Sequence, residues 1–369
     1  DETHRQAALL AAVPRQFNQE TLSVLLGEES SPLFRWLARQ SYIRSNSERG
    51  YFYHEKVREL ILRNQKQIAP AALSHAHLQM VDYHAKQQAC LELKYPQTYQ
   101  SDAWRDNEVE RLYHLFWADP EKNFNDLLRA FLLALHHRWR FAGKIAHMAV
   151  QAATEIGLKS FQIKCTQLLN LVNAYEKEEY SEEIKLLSSY EEQFNRDEVT
   201  APIYWAERGF IYYILDEHEE ALADFDRAIA LDENFTWAIS SRGRTYLLMG
   251  KYAEALADFD RVIALDEKDA WAIASRGQTY RLMGKYAEAL ADFDRAIALD
   301  ENYALAIAFR GETYRLMDKY TEALADFDRA IVLDENFTWA ISSRGRTYRL
   351  MEKYTEALAD FDHPITLDE

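Results

Sequence analysis

AWAIASRGQTYRLMGKYAEALADFDRAIALDENY, residues 270–303, is the stretch that decides the fold. It is one copy of a unit that recurs at a period of 34 residues. Glycines mark the period at Gly209, Gly243, Gly277, Gly311 and Gly345, and tyrosines follow at Tyr212, Tyr246, Tyr280, Tyr314 and Tyr348. Alanines come next, at Ala221, Ala255, Ala289, Ala323 and Ala357, and then phenylalanines at Phe225, Phe259, Phe293, Phe327 and Phe361. Five copies in one register make a repeat array. Within the quoted copy the apolar spacing predicts helix A over Ala270–Met283 and helix B over Tyr286–Leu299. Glycine in helix A and alanine in helix B let the two backbones approach, tyrosine and phenylalanine fill the rest, and Gly284 suits the left-handed position after helix A. A single unit cannot bury its apolar face, so the units must stack.

The glycine, tyrosine, alanine and phenylalanine positions resemble the tetratricopeptide repeat. That resemblance implies a right-handed α-solenoid whose groove, lined by positions two, five, nine and twelve of helix A, holds a protein ligand. Position two carries Trp237, Trp271, Leu305 and Trp339. Position nine carries Arg244, Gln278, Glu312 and Arg346, and position twelve carries Leu247, Arg281, Arg315 and Arg349. Tryptophan and arginine dominate interface hot spots, so these tryptophans and arginines are the candidate protein-binding residues. Two plainer roles stay open: sealing of the seams between repeats for the tryptophans, and pairing with neighbouring aspartates for the arginines at position twelve. Position five holds only Ser240, Ala274, Ala308 and Ser342. The Lys and Asn clamp of chaperone-binding members is therefore missing, which argues against a co-chaperone role. The near-verbatim B helices suggest recent duplication. Pro364 in the last copy predicts that its B helix ends near Asp362, since proline inside a helix costs about 3 kcal/mol, and it makes the last repeat the loosest.

Charge and composition narrow the function classes. The formal net charge is -17, made up of +2 over residues 1–66 and -19 over the rest. An acidic chain argues against general nucleic-acid binding, which depends on neutralising phosphates. The two cysteines, Cys90 and Cys165, fit a reduced cytoplasmic protein. No apolar run approaches the roughly 18 residues a membrane helix needs. The chain opens without methionine and enters an apolar stretch almost at once, as a piece of a longer protein would.

Residues 1–66 have another texture. Short apolar helices are predicted at Ala7–Val13, Thr21–Leu26 and Pro32–Arg39. Strands follow at Ser41–Arg44 and Gly50–Tyr53, joined by a wing at 46–49, and a last helix begins at Val57. This is the order of a winged helix. Its third helix offers only Arg35 and Arg39, too little for a DNA reader. The stretches Ala-Val-Pro-Arg-Gln-Phe-Asn-Gln-Glu-Thr-Leu (12–22), Leu-Ala-Arg-Gln-Ser-Tyr-Ile (37–43) and Tyr-Phe-Tyr-His-Glu-Lys-Val-Arg (51–58) resemble the winged-helix domain of STAND-type P-loop ATPases, the NB-ARC and NACHT class. The resemblance implies that His54 contacts the β-phosphate of bound ADP in the resting state. Tyr53 and Glu55 depart from the family's Met and Asp, and a plain packing role for His54 at a strand-to-helix corner stays open.

Residues 67–201 read as a helical arm, with helical runs at Glu108–Ala118, Phe124–His137, Lys144–Ile156 and Phe161–Tyr175. The histidines at 75, 77, 84, 114, 136, 137 and 147 look scattered, so no metal site is expected, and no catalytic constellation can be placed. Cys165 is expected to be buried. The fold class is mainly α: a small winged-helix domain (1–66), a degenerate helical arm (67–201) and five repeats (202–369). The sequence contains no phosphate loop, so this chain carries no cofactor of its own. The STAND resemblance implies ADP or ATP for the intact protein, an ATPase with a separate effector domain, and a homo-oligomer released when the groove binds its trigger, as in bacterial antiphage defence. A scaffold without nucleotide switching, or the regulatory part of a transcription activator of the same class, fits the same residues.

Overall fold

A computed structural model of the chain describes residues 1–27, 30–46, 50–137 and 139–362. The described residues form α-helices throughout, apart from one pair of short strands and a 3-10 turn. The chain divides into two compact units, Asp1–Glu207 and Arg208–Glu369.

The first unit begins with α1 (Glu2–Leu10), α2 (Gln19–Leu26) and α3 (Ser30–Leu37). A capping box starts α2: the Asn18 side chain accepts from the Thr21 amide at 2.8 Å, and the Thr21 hydroxyl accepts from the Asn18 amide at 2.9 Å. The antiparallel pair β1 (Ile43–Asn46) and β2 (Gly50–Tyr53) follows, with Ile43 opposite Tyr53. β1 starts later than the sequence suggests, at Ile43, and the His54 amide donates to the Tyr42 carbonyl at 2.9 Å, in register with the ladder, at the strand-to-helix corner. On its other side β2 pairs with Phe17, whose amide donates to the Tyr51 carbonyl at 2.7 Å. A side chain at residue 50 would meet the Phe17 carbonyl at 3.1 Å, and Gly50 has φ +84°, so glycine is required there on both counts. The residues expected in the connecting wing at 47–49 lie outside the described residues.

Next come α4 (Glu55–Ile68), α5 (Pro70–Ala89), α6 (Asp102–Ala118), α7 (Pro120–His137), α8 (Trp139–Ile156), α9 (Lys159–Glu176), α10 (Tyr180–Ser188), α11 (Glu191–Asn195) and α12 (Thr200–Ile214), whose residues from Arg208 onward belong to the second unit. α4 is tied to the helices beyond it by a buried polar network. Arg58 donates to Glu155 at 2.6 Å, to the Tyr113 hydroxyl at 2.5 Å and to the Val13 carbonyl at 3.3 Å, and the Tyr113 hydroxyl donates to Glu155. A buried guanidinium is tolerated only when paired in this way. Cys165 is buried as expected, and burial pushes its thiol up to about 12.

The second unit holds the repeats. Their helices alternate as α13 (His218–Leu231), α14 (Thr236–Leu248), α15 (Tyr252–Leu265), α16 (Ala270–Leu282), α17 (Tyr286–Leu299), α18 (Ala304–Leu316), α19 (Tyr320–Leu333), α20 (Thr338–Leu350) and α21 (Tyr354–Phe361). The steric argument for glycine holds: a Cβ at Gly277 would lie 3.0 Å from the Phe293 ring and 3.1 Å from the Asp292 Cβ. The facing Ala289 and Phe293 are fully buried. Gly250 and Gly284 follow their A helices at φ +72° and +75°, while Asp216, Asp318 and Glu352 hold the same left-handed turn without glycine. α21 stops at Phe361 with Asp362 as its cap. Pro364 itself lies outside the described residues.

An arginine ladder runs through the array. Arg276 grips the buried Asp292 of its own repeat through Nε at 2.8 Å and Nη2 at 2.6 Å, and its Nη1 reaches Asp260 of the preceding repeat at 2.7 Å. Arg242, Arg310 and Arg344 repeat the arrangement with Asp258 and Asp226, Asp326 and Asp294, and Asp360 and Asp328. Arg261, Arg295 and Arg329 also donate to backbone carbonyls of the preceding inter-repeat loop, at Glu233, Glu267 and Glu301. Each junction is therefore held by charge-assisted bonds as well as by apolar contact.

Candidate functional site: the A-helix face of the repeat array

The A helices touch one another along the array, α14 with α16, α16 with α18 and α18 with α20. The groove positions lie on these helices. The seam role that the sequence left open for the tryptophans is seen at Trp271, and Trp237 and Trp271 also face open space beside the A helices. All three tryptophans are half-buried. Trp271 packs edge-on to Phe259 at 6.1 Å, against a buried cluster with Leu247 and Ala255, and so seals the junction between two repeats. Trp237 lies 5.7 Å from Phe210, and Trp339 lies 5.3 Å from Phe309.

The outer faces of Trp237 and Trp271 line a cavity of about 410 Å³, together with Phe210, Tyr213, Thr236, Ser240, Ser241, Arg244 and Asp269. Arg244 is exposed, and its guanidinium sits 5.3 Å over the Tyr213 ring. The Asp269 carboxylate caps α16 by accepting from the Ala272 amide at 2.9 Å. The small residue at position five, Ser240, is what leaves room for the cavity. Its wall thus combines aromatic faces, hydroxyls, a cation and an anion, the composition of a site for part of a peptide or another polar ligand with an apolar portion.

Further along, Arg281, Phe309, Glu312 and Arg315 form a second cluster. Arg315 makes a two-pronged bond to Glu312, at 2.8 and 2.6 Å. Its partner is thus an acid one turn away on its own helix. Arg281 lies 5.7 Å over the Phe309 ring, and its buried Nε has no hydrogen-bond partner among the described residues. Burial lowers its pKa, and the Glu312 charge opposes the shift. Arg346 and Arg349 are exposed, with no ion pair among the described residues. The structure therefore brings Trp237, Trp271 and Arg244 to one cavity and Arg281 and Arg315 to one cluster. Trp339 sits beyond them against Phe309.

A family model described as tetratricopeptide repeat matches residues 202–235 and 270–303, and a second model of the same description matches 239–269. The chain carries tetratricopeptide repeats. None of the curated proteins matches it. Among solved structures, a tetratricopeptide repeat protein from Parabacteroides merdae ATCC 43184 is similar at 18% identity and TM-score 0.50, covering 65% of this chain and 91% of that one. YrrB, a TPR protein with an unusual peptide-binding site, is similar at 24% identity and TM-score 0.37, covering 48% and 89%. MamA is similar at 24% identity and TM-score 0.37, covering 42% and 90%. The tetratricopeptide array is a protein-interaction scaffold, and among the described residues no helix is long and apolar enough to cross a membrane.

His54 is exposed at the corner between β2 and α4, where it is the N-cap residue but makes no side-chain capping bond. Glu55 beside it is acidic and exposed, and the sequence holds no phosphate loop. These residues do not by themselves make a nucleotide pocket.

Two features escaped the sequence. The first is the arginine ladder, whose signal was the Asp-Phe-Asp of every B helix set against an arginine beside every glycine. The second corrects the view of the histidines as scattered: His77, His84 and His114 come together on α5 and α6. The His77 and His114 Nδ1 atoms lie 2.8 Å apart, and the His84 and His114 rings stack at 5.9 Å.

Proposed function

We propose that this chain is the ligand-sensing and regulatory part of a STAND-type ATPase, in which the tetratricopeptide face binds a protein segment and that binding releases the intact protein to oligomerise. The observation that carries the binding half is the cavity between Trp237 and Trp271, with Arg244 at its edge and the half-buried Arg281 on the same run of A helices. The exposed Arg244 and the half-buried Arg281 favour a ligand that brings a carbonyl or carboxylate to their guanidinium groups. The switching half is supported by the element order of residues 1–68, three helices, an antiparallel strand pair and a helix, and by the exposed His54 at the corner where the resemblance puts a phosphate contact. A winged helix in residues 1–66 and a role in antiphage defence belong to the same proposal.

The experiment has two arms. A photo-crosslinker at Trp237, compared with one on an exposed B-helix site such as Ala298, identifies a segment held in the groove. Affinity for that segment is then measured in Arg281→Ala/Arg315→Ala, where loss of buried anchors should cost about 2 kcal/mol or more. Unchanged affinity places the interface elsewhere. In the intact protein, His54→Ala should loosen ADP and raise ligand-independent oligomerisation. If ADP is kept and the protein stays quiet, the array is a scaffold without nucleotide switching.

A further inference from the structure

Helices α5 and α6 bring His84, Glu110 and His114 together, each offering one ligand atom, with these atoms all within 4.8 Å of one another. Glu110 and His114 lie one turn apart on a single face of α6, and His84 comes from α5. Hydrogen bonding decides which ring nitrogen of each histidine is available. The Asn107 amide donates to the Ala103 carbonyl at 2.9 Å, which turns its oxygen to the His84 Nδ1 at 2.8 Å. An amide oxygen only accepts, so the His84 Nδ1 holds the proton and Nε2 holds the lone pair. The His114 Nδ1 is engaged by His77, and its Nε2 is buried without a partner among the described residues. His77 is itself held flat against Trp117, with ring centroids 5.0 Å apart and planes 4° apart. Glu110 is oriented by Arg15 through Nε at 3.1 Å and Nη2 at 2.7 Å. Each of the three candidate ligands therefore has an outer partner that fixes it, the arrangement that supports metal ligands generally.

We propose that His84, Glu110 and His114 form a binding site for a divalent metal ion of the zinc class, with water completing a tetrahedral shell. Two imidazoles and one carboxylate suit zinc, whereas magnesium and calcium require mostly oxygen ligands. The electrostatics narrow the class the same way. Arg15 neutralises Glu110, so no concentration of negative charge draws in a hard cation, and affinity has to come from coordination by imidazole. His114 stands well below the usual histidine range because of burial, then His77, His84 and the two arginines. His84 is lowered by burial. Zinc–nitrogen bonds of about 2.0–2.1 Å place ligand atoms about 3.4 Å apart. Closing the site asks for small side-chain rotations, which the half-buried His84 and Glu110 can make against a fixed His114.

The test uses the full chain, stripped with a chelator and titrated with Co²⁺, then back-titrated with Zn²⁺. One equivalent of Co²⁺ should give the visible absorption of tetrahedral cobalt, and Zn²⁺ should displace it. His84→Ala and Glu110→Gln should each weaken binding by at least about tenfold, as loss of even an outer partner does at metal sites. Both leave the buried His77–His114 pair intact, so a fold check by circular dichroism accompanies them. His147→Ala, at an exposed histidine on α8, should change nothing. Zinc should raise the melting temperature of the wild type and not of His84→Ala. Absence of a saturable cobalt band, equal affinity in wild type and both variants, or an equal loss in His147→Ala would overturn the proposal.

Discussion

Replacing Arg276 by leucine separates the two halves of the arginine ladder. Its inner half is the bond to Asp292, whose side chain is 8% exposed, and its outer half is the bond to Asp260, whose side chain is 55% exposed. Removing the arginine strands a buried carboxylate, a loss of about 3–5 kcal/mol when one partner of a buried pair is deleted. Asp260→Ala deletes only the exposed contact and leaves Arg276 gripping Asp292, so it should cost about 0.2–1 kcal/mol. The assay is hydrogen exchange of peptides from α16 and α17 in the full chain, which reads local opening. At about 1.4 kcal/mol per tenfold, Arg276→Leu should speed exchange there by about a hundredfold or more, and Asp260→Ala by about fivefold at most. Arg276→Leu together with Asp292→Leu should recover much of the loss, because no buried charge is then left alone. Similar effects from Arg276→Leu and Asp260→Ala would show that Asp292 is solvated and that the ladder is only a surface ornament of the repeats.

Gly277→Ala should destabilise the array by about 1–3 kcal/mol, because the new methyl meets Phe293 and Asp292 at 3.0–3.1 Å. Gly143→Ala in α8, where the nearest atom is Val172 Cγ1 at 3.5 Å, should instead gain up to about 1 kcal/mol of helix propensity, and thermal melts compare the two. Glu352→Gly should raise the melting temperature of the last repeat by relieving a left-handed glutamate at φ +61°, a strain of about 1–2 kcal/mol partly offset by glycine entropy, and no gain would mean that Glu352 is held there by contacts. Burial, and then the Glu207 charge, push the Glu183 carboxyl up to about 8. Its contribution to stability is therefore complete below its ordinary value of 4.5 and is lost as pH climbs toward 8. Glu183→Gln should flatten the fall in melting temperature over that window, and parallel wild-type and variant curves would refute it.

The repeat helices were legible because their sequence signature is steric. A glycine facing an alanine and a phenylalanine admits one solution at each crossing, and five copies repeat it. The tryptophans were legible as a stripe but not as a choice between seam and groove, since one indole, Trp271, packs on Phe259 at the seam and also lines the cavity. The ladder was not legible, because arginine and aspartate on a helix look like a solvated face until the neighbouring repeat is in place. The partner of Arg315 was nearer than the aspartates considered, being Glu312 on the same turn. The histidine cluster was hidden for another reason: nothing in the sequence says that α5 and α6 lie side by side, and it is their packing that joins His77 and His84 to His114.

Every arginine–aspartate tie of the ladder spans the same chain length. Arg276 reaches forward to Asp292 and back to Asp260, each 16 residues away. The loop that must close to form a tie is therefore no longer in the last repeat than in the first, and its entropic cost does not grow with the array. Lengthening the array lowers relative contact order, so extra repeats should not slow folding as extra strands slow a β-sandwich. A chain emerging from synthesis can close each tie as soon as the next helix appears, and it never waits for a distant segment.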